Sequence, residues 1–177
     1  MRNRPDHREA SPYYFKYIDA VADDDVISVL KKQLQYASEA LATISEEDSQ
    51  RRYAAGKWSV KQVLSHVNDA ERVFAFRAFW FARGFDSALP SFDQDASAAM
   101  FSADAISWKA HLEEFLAIRR STLSLFAHLP PDQWSRSGIA SDATFTVRAL
   151  AFIIAGHFEH HVRALGHSYN MAAVKSR

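Results

Sequence analysis

Apolar side chains recur every three or four residues along four stretches of the chain, which is the spacing of amphipathic helices. The stretches cover residues 25–44, 59–83 and 102–128, and a last one that begins within 144–146 and ends near 169. Five glycines and five prolines in 177 residues provide few breaks, which favours long helices over many short strands. The pattern therefore predicts an all-α protein built as a four-helix bundle.

The second predicted helix has the clearest start and an unusual second half. Ser59 is followed three residues later by Gln62, which fits a capping box. Further along, this helix is apolar on nearly all sides and carries Phe74, Phe76, Phe79, Trp80 and Phe81. A helix of this kind is either deeply buried or part of a subunit interface.

The links between the helices also carry predictions. Residues 84–103 are predicted to be a loop, and loops of that length are often lids or walls of sites. Residues 133–145 are predicted to form a turn or hairpin around Gly138. The chain is divided into an N-terminal arm (1–22), a bundle domain (23–170) and a C-terminal tail (171–177).

Composition narrows the function classes. The chain has 48% hydrophobic and 24% charged residues, as expected of a globular domain. Its 21 basic and 21 acidic side chains leave no net charge, which argues against a nucleic-acid-binding surface. The absence of cysteine excludes disulfides, thiolate metal sites and a cysteine nucleophile. Any metal must therefore be held by imidazole or oxygen.

Targeting and membrane signals are not found in the sequence. No basic segment is followed by the apolar run of a signal peptide. No apolar stretch approaches the ~20 residues needed to cross a bilayer. We expect a cytoplasmic protein with neither a membrane nor a nucleic-acid partner.

Three of the eight histidines are placed where they could share a metal ion. His157 and His161 lie one turn and about 40° apart on the apolar face of the last predicted helix. That spacing lets one helix supply two ligands. His66, between Val63 and Ala70, also faces the core of the predicted bundle. Bundle cores build metal sites from facing helices, so the three imidazoles are candidate ligands.

A simpler interpretation of these histidines stays open from the spacing alone. A histidine on an apolar face is more often a core or rim residue than a metal ligand. Glu159 is not placed as in an HExxH helix, so this is not a zincin-type site. If a metal does bind, three imidazoles leave a coordination position for water or substrate, which is the layout of a catalytic site.

Two segments resemble the signatures of a known family. Residues 58–69 (WSVKQVLSHVND) resemble the second-helix signature of the DinB-like (DinB/YfiT-like) superfamily. Residues 156–165 (GHFEHHVRAL) resemble the HxxHH signature of that family's last helix. The resemblance extends over roughly residues 25–167. It implies a DinB/YfiT-like four-helix bundle, in a family that includes bacillithiol S-transferases and metal-dependent hydrolases.

The resemblance also implies the site and its cofactor. In this family a divalent metal, most often zinc or nickel with iron or manganese as alternatives, would be held by His66, His157 and His161. Members are often homodimers, which would cover the aromatic second helix. The N-terminal arm has no counterpart in the resemblance.

Two classes of function follow as expectations. The first is a metal-dependent enzyme that activates water for hydrolysis or a low-molecular-weight thiol for transfer to a small-molecule electrophile. Asp69, one turn from His66, is a candidate to orient that histidine or to act as a base. The second is a non-catalytic metal-binding or stress-associated dimeric bundle. An open cavity beside the histidines would favour the enzyme, and a fourth protein ligand would favour the structural role.

Overall fold

Four long helices form the body of the chain in a computed structural model that describes residues 3–171 and 174. The described residues form seven α-helices: α1 (Phe15–Ile18), α2 (Val26–Glu39), α3 (Glu46–Ser49), α4 (Val60–Ala82), α5 (Gln94–Met100), α6 (Trp108–Ala127) and α7 (Val147–His167). Short 3₁₀ turns lie at Pro12–Tyr14, Leu41–Thr43, Ala103–Ala105 and Pro131–Ser135. The predicted all-α four-helix bundle is confirmed. None of the described helices is both long and apolar enough to span a membrane.

The order of the long helices around the bundle differs from their order in the sequence. Helix α4 packs against both α6 and α7, and α2 packs against the same two helices. Helices α2 and α4 therefore lie at diagonal corners, although they are the first two long helices in the chain. This arrangement places the inward faces of α4 and α7 side by side.

Local hydrogen bonds explain where two of the helices begin. Before α4, Ser59 Oγ accepts from the backbone N–H of Gln62, and the Gln62 side chain accepts from the N–H of Ser59, both at 3.0 Å. This is the predicted capping box. The third long helix was predicted from residue 102, which is six residues too early. Residues 103–105 form a separate 3₁₀ turn, and Ser107 Oγ caps α6 through the N–H of Ala110 at 3.2 Å.

The segment predicted as a loop at residues 84–103 contains helix α5, which is a correction to the prediction. Asp93 caps this helix by accepting from the N–H groups of Asp95 and Ala96. Earlier in the same segment, Leu89 donates to Ile139 O at 2.9 Å and accepts from Ser141 N at 3.2 Å. The segment is thus tied to the hairpin that follows α6.

The hairpin predicted within residues 133–145 is present, but its turn is not at Gly138. Strands β1 (Ser137–Ala140) and β2 (Ala143–Thr146) pair antiparallel around Ser141 and Asp142. Both turn residues have positive φ, 51° and 58°, as a tight two-residue hairpin requires. Gly138 lies inside β1, where a β-carbon would come within 2.1 Å of the Phe81 ring.

A polar layer crosses the middle of the bundle between two apolar clusters. One cluster joins the second half of α4 to the first half of α7, and the other joins the remaining halves. All four long helices contribute buried polar side chains to the layer between them, namely Gln33, His66, Glu71, Arg119 and His157. The candidate site therefore lies at mid-height in the bundle.

The N-terminal segment packs against α7. The side chains of Phe15, Tyr17 and Ile18 are buried, and Arg4 donates to the carbonyl oxygens of Ile18 and Val21. Residues 1–2 and most of the tail lie outside the described residues, which include only 171 and 174 of it. The division into arm, bundle and tail stays a prediction.

Gly156 is a point of close approach between α1 and α7. A β-carbon at this position would lie 1.9 Å from the carbonyl oxygen of Tyr17. We expect Gly156→Ala to lower the free energy of unfolding by about 1–3 kcal/mol, because the backbone of the N-terminal segment must move to make room. Urea unfolding of the variant and the wild type measures this difference.

Gly166 offers a matched control on the same helix. Its added β-carbon would meet nothing closer than Val174 O at 3.5 Å, an ordinary contact. We expect Gly166→Ala to change stability by no more than about 1 kcal/mol, in the stabilising direction, since alanine favours helix. Equal unfolding midpoints for the two variants would contradict the close contact at Gly156.

Candidate metal centre

The structure brings the three predicted histidines together. His66 projects from α4, and His157 and His161 project from successive turns of α7. The Nε2 atom of His157 lies 3.1 Å from Nε2 of His66 and 3.2 Å from Nε2 of His161. His66 and His157 are buried, and His161 is half-buried.

The donor chemistry of this cluster fits a bound cation. An imidazole nitrogen carries either one hydrogen or one lone pair, so Nε2 of His157 cannot form normal hydrogen bonds to both neighbours. Three lone pairs directed at one divalent ion remove this conflict. Nitrogens at ~2.0–2.1 Å from a tetrahedral zinc lie about 3.3 Å from one another, close to the separations seen here.

The histidines form an incomplete coordination shell. Among the described residues, no further histidine, aspartate or glutamate joins the three. A closed structural zinc site has four protein ligands, whereas a catalytic site keeps a position for water or substrate. The donor set is therefore of the open kind.

Burial keeps the three imidazoles in the neutral form that binds metals. The pKa of His66 is lowered to about 4 and that of His161 to about 3, mainly because both side chains are buried. Burial also lowers the pKa of His157 well below its usual value, and the neighbouring histidines lower it further. For His66, the negative charge of Asp95 opposes the effect of burial.

Aromatic rings hold the imidazoles in place. Trp58 packs against His66 with ring centroids 5.1 Å apart, and Tyr17 packs edge-on against His157 at 5.2 Å. His160 is exposed and contacts the rings of Tyr17 and His161. His160 is therefore a neighbour of the cluster and not a member of it.

Two of the openings that reach the cluster border different histidines. The first, which we call the aromatic cavity, has a volume of about 210 Å³ and borders His66 and His157. Its walls include Tyr13, Tyr14, Tyr17, Phe74 and Phe92. The second, which we call the Trp58 cleft, has a volume of about 390 Å³ and borders His161; it also includes Tyr53, Lys57 and Tyr169.

Comparison with known proteins identifies the family. The profile of the DinB superfamily matches residues 30–165. The chain belongs to the DinB superfamily. The sequence has no match among curated proteins.

Two solved structures share this fold. One is YfiT from Bacillus subtilis, which is described as a probable metal-dependent hydrolase with an unusual four-helix bundle topology. It is similar to this chain with a TM-score of 0.71 and 16% sequence identity, and the match covers 95% of this chain and 90% of YfiT. A mycothiol-dependent maleylpyruvate isomerase is similar with a TM-score of 0.65 and 11% identity, over 82% of this chain and 61% of that one. At these identities the likeness concerns the fold.

Asp69 of this DinB-superfamily chain is near the cluster but does not bond to it. Its carboxylate accepts from Ser97 Oγ at 3.3 Å and pairs with Arg72 at 3.5 Å. Burial raises the pKa of Asp69. It lines a narrow cleft together with His66, so a role in orienting that histidine stays a prediction.

Several residues around the site were not predicted from the sequence. Tyr17 comes from the N-terminal segment, and Phe92 and Gln94 come from the segment predicted as a loop. A signal for Tyr17 existed, because it lies between the apolar residues Phe15 and Ile18. His111 is also fully buried, with Nε2 2.9 Å from the carbonyl oxygen of Ala103.

The lowered pKa values of this DinB-superfamily site predict how the metal-free protein responds to acid. Below pH ~6.5 the unfolded chain takes up protons on these histidines, whereas the folded chain does not until the pH approaches 4. The stability is therefore complete above pH ~6.5 and falls as the pH is lowered. Between pH ~7.5 and ~5.5, we expect each histidine to contribute a loss of about 1 kcal/mol.

Urea unfolding in the presence of a chelator measures this pH dependence. His161→Gln removes one of the three groups, so we expect a smaller loss on acidification than in the wild type. His167→Gln removes an exposed histidine from the same helix and is expected to keep the wild-type loss. A wild-type protein whose stability is the same at both pH values would contradict the prediction.

Proposed function

We propose that this protein is a metal-dependent enzyme in which His66, His157 and His161 hold one divalent cation, most simply zinc or nickel. The observation that carries the proposal is the convergence of three buried or half-buried imidazole nitrogens beside an open cavity. Imidazole donors suit these borderline cations. YfiT, which shares the fold, is itself described as a probable metal-dependent hydrolase.

The residues of the chain prepare a site for an activated nucleophile. When bound, a divalent cation at three neutral imidazoles supplies Lewis acidity, which lowers the pKa of a water or a thiol in the open position. His66 and His157 are buried and present neutral nitrogens. The rings of Trp58 and Tyr17 pack against these imidazoles and restrict the orientation of their planes.

Two openings favour a reaction between two small molecules. The aromatic cavity borders His66 and His157, and the Trp58 cleft borders His161. One opening can admit a thiol cosubstrate while the other admits the electrophile. Because the chain has no cysteine, the sulfur of a thiol transfer must come from the cosubstrate. The similar fold of a mycothiol-dependent isomerase supports a thiol as the activated group, and that of YfiT, a probable hydrolase, supports water.

A thiol conjugation assay tests this proposal. Untagged protein is incubated with a panel of low-molecular-weight thiols and 1-chloro-2,4-dinitrobenzene; a carbon–sulfur bond forms, chloride leaves and a proton is released. A parallel set of p-nitrophenyl esters tests hydrolysis. We expect a rate that requires added metal, is absent in His157→Ala and is retained in His160→Ala. If the wild-type protein reacted no faster than His157→Ala with both the thiols and the esters, an enzymatic role would be contradicted.

We further propose that the protein forms a homodimer through the aromatic second half of α4. The side chains of Phe76, Phe79 and Phe85 are 49%, 38% and 47% exposed, and Trp80 stacks on Phe85 with centroids 4.2 Å apart. Exposed apolar patches of this kind mark interaction surfaces. A cytoplasmic location and the lack of a nucleic-acid partner stay predictions from the sequence.

The dimer is tested by sedimentation of a patch variant. Because a lysine at Phe76 would place a charge in the proposed interface, we expect Phe76→Lys to weaken dimerisation at least tenfold. Met100→Lys changes a side chain that is 88% exposed outside the patch and is expected to leave the dimer intact. A monomeric wild type at micromolar concentration would contradict this proposal.

A further inference from the structure

Arg77 shares one face of α4 with His66 and borders the same cavity. The eleven steps from His66 to Arg77 turn the helix to within about 20° of the same direction and advance it by about 16.5 Å. Side chains on a helix lean toward its N-terminus, so the Arg77 side chain leans toward the histidines. Arg77 is only 3% exposed, and it lines the aromatic cavity.

The Arg77 guanidinium lacks an anionic partner among the described residues. It donates from Nη2 to Pro90 O and to Ser141 Oγ, each at 2.9 Å, and its other polar neighbour is Tyr14. The two other cationic side chains buried to this degree are both paired with carboxylates. Arg119 pairs with Glu71 at 2.8 Å, and Lys61 pairs with Glu46.

An unpaired buried cation is costly, and here only hydrogen bonds to groups that are not carboxylates offset the cost. Buried charges in proteins are normally paired with an opposite charge. Burial is the largest effect and lowers the pKa of the Arg77 guanidinium; Tyr14 acts to raise it, and no carboxylate does. A guanidinium has five N–H donors, and the two hydrogen bonds to Pro90 and Ser141 both come from Nη2. Donors therefore remain for a ligand in the cavity.

We propose that the aromatic cavity binds a small carboxylate substrate, with the carboxylate on Arg77 and the apolar body directed toward His66 and His157. This deepens the proposed function, because it names the substrate class of the same site. Arginine binds carboxylates through two parallel hydrogen bonds, which position the bound molecule. Tyr14, Phe74 and Phe92 provide apolar walls. The cavity volume of about 210 Å³ is below the ~300–1,000 Å³ of typical ligand pockets, so the substrate is small.

Calorimetric titration of the metal-free protein tests the inference. The probes are phenylacetate, benzoate and hexanoate, each compared with its uncharged amide. With no metal present, a preference for the carboxylate must come from the protein. We expect at least one carboxylate to bind the wild type about tenfold to a hundredfold more tightly than its amide. Arg77→Met should abolish that preference, and Arg77→Lys should keep part of it.

A second variant keeps the proposal testable even if Arg77→Met does not fold. Val73 lines the cavity and is half-buried, so Val73→Trp fills the space without removing Arg77. We expect this variant to lose binding of the carboxylate and its amide alike. Circular dichroism and thermal melting establish that each variant is folded.

Several outcomes would overturn the inference. These are a wild type that binds no carboxylate more tightly than its amide, unchanged binding in Val73→Trp, or an Arg77→Met that keeps the preference. The last result, with a lowered melting temperature, would mean that Arg77 only holds Pro90 and Ser141 in place. We expect Arg77→Met, when loaded with metal in a separate experiment, to bind as much metal as the wild type. This measurement distinguishes failure of the carboxylate site from failure of the proposed metal site.

Discussion

Replacement of His157 by alanine is expected to lower the affinity for zinc more than about 100-fold. The Nε2 atom of His157 is within 3.2 Å of both other imidazole nitrogens, so its loss leaves two donors without a third between them. Removing a group that only orients a ligand costs ~10–100-fold in metal affinity, and removing the ligand itself costs more. Competition with a chromophoric chelator at pH 7.5 measures the affinity of each variant.

The neighbouring histidine provides the matched control for this experiment. His160 is exposed and adjacent to His161, but it lies outside the converging group. We expect His160→Ala to bind zinc as the wild type does, and His161→Ala to lose affinity as His157→Ala does. If His157→Ala and His161→Ala both kept wild-type affinity, the three-histidine site would be wrong.

Truncation of Glu71 is expected to cost about 3–5 kcal/mol of stability, the largest folding effect of any change considered for this chain. Both carboxylate oxygens of Glu71 accept from Arg119 at 2.8 Å, and both side chains are buried. A third donor of Arg119 reaches Gln33, which in turn bonds to Ala155 O. Glu71→Ala leaves the guanidinium buried without its counterion. Urea unfolding measures the loss.

Two further variants separate the ion pair from general effects of substitution. Glu113→Ala removes an exposed carboxylate that pairs with Lys109 on α6, and we expect a change below about 0.5 kcal/mol. The double variant Glu71→Leu with Arg119→Met replaces the pair by apolar groups and should recover most of the stability. A loss below about 1 kcal/mol in Glu71→Ala would contradict the importance of this pair.

Helix faces could be predicted because they are local patterns, whereas the histidine cluster could be predicted from such patterns only in part. His157 and His161 share a face by helix geometry alone, whatever the rest of the chain does. His66 was predicted to face inward from its apolar neighbours Val63 and Ala70. Its distance from α7 depends on the diagonal order of the helices, which the spacing of apolar residues does not encode. The family resemblance supplied that link.

The ion pair between Glu71 and Arg119 could be predicted only in part. Glu71 lies four residues after Val67 and three before Phe74, so the sequence marks it as a charge on an apolar face. Nothing in the spacing identifies Arg119 as its partner among 21 basic side chains. Pairing between distant helices is set by packing, and it appears only once the bundle is assembled.

Helix α5 could not be predicted from periodicity. Its seven residues are too few to repeat an apolar stripe, and none of them is buried. The Asp93 cap starts this helix. The segment before it is held by backbone hydrogen bonds between Leu89 and the hairpin. The place of Tyr17 beside His157 likewise depends on the close approach of α1 to Gly156.

The most direct test of metal binding by His66, His157 and His161 is X-ray absorption at the zinc edge. The sample is wild-type protein loaded with one equivalent of zinc. We predict a first shell with three imidazole nitrogens at ~2.0–2.1 Å, recognised by the multiple scattering of the rings. The histidines are the only ring donors that converge among the described residues. A first shell without imidazole scattering would contradict the three-histidine site.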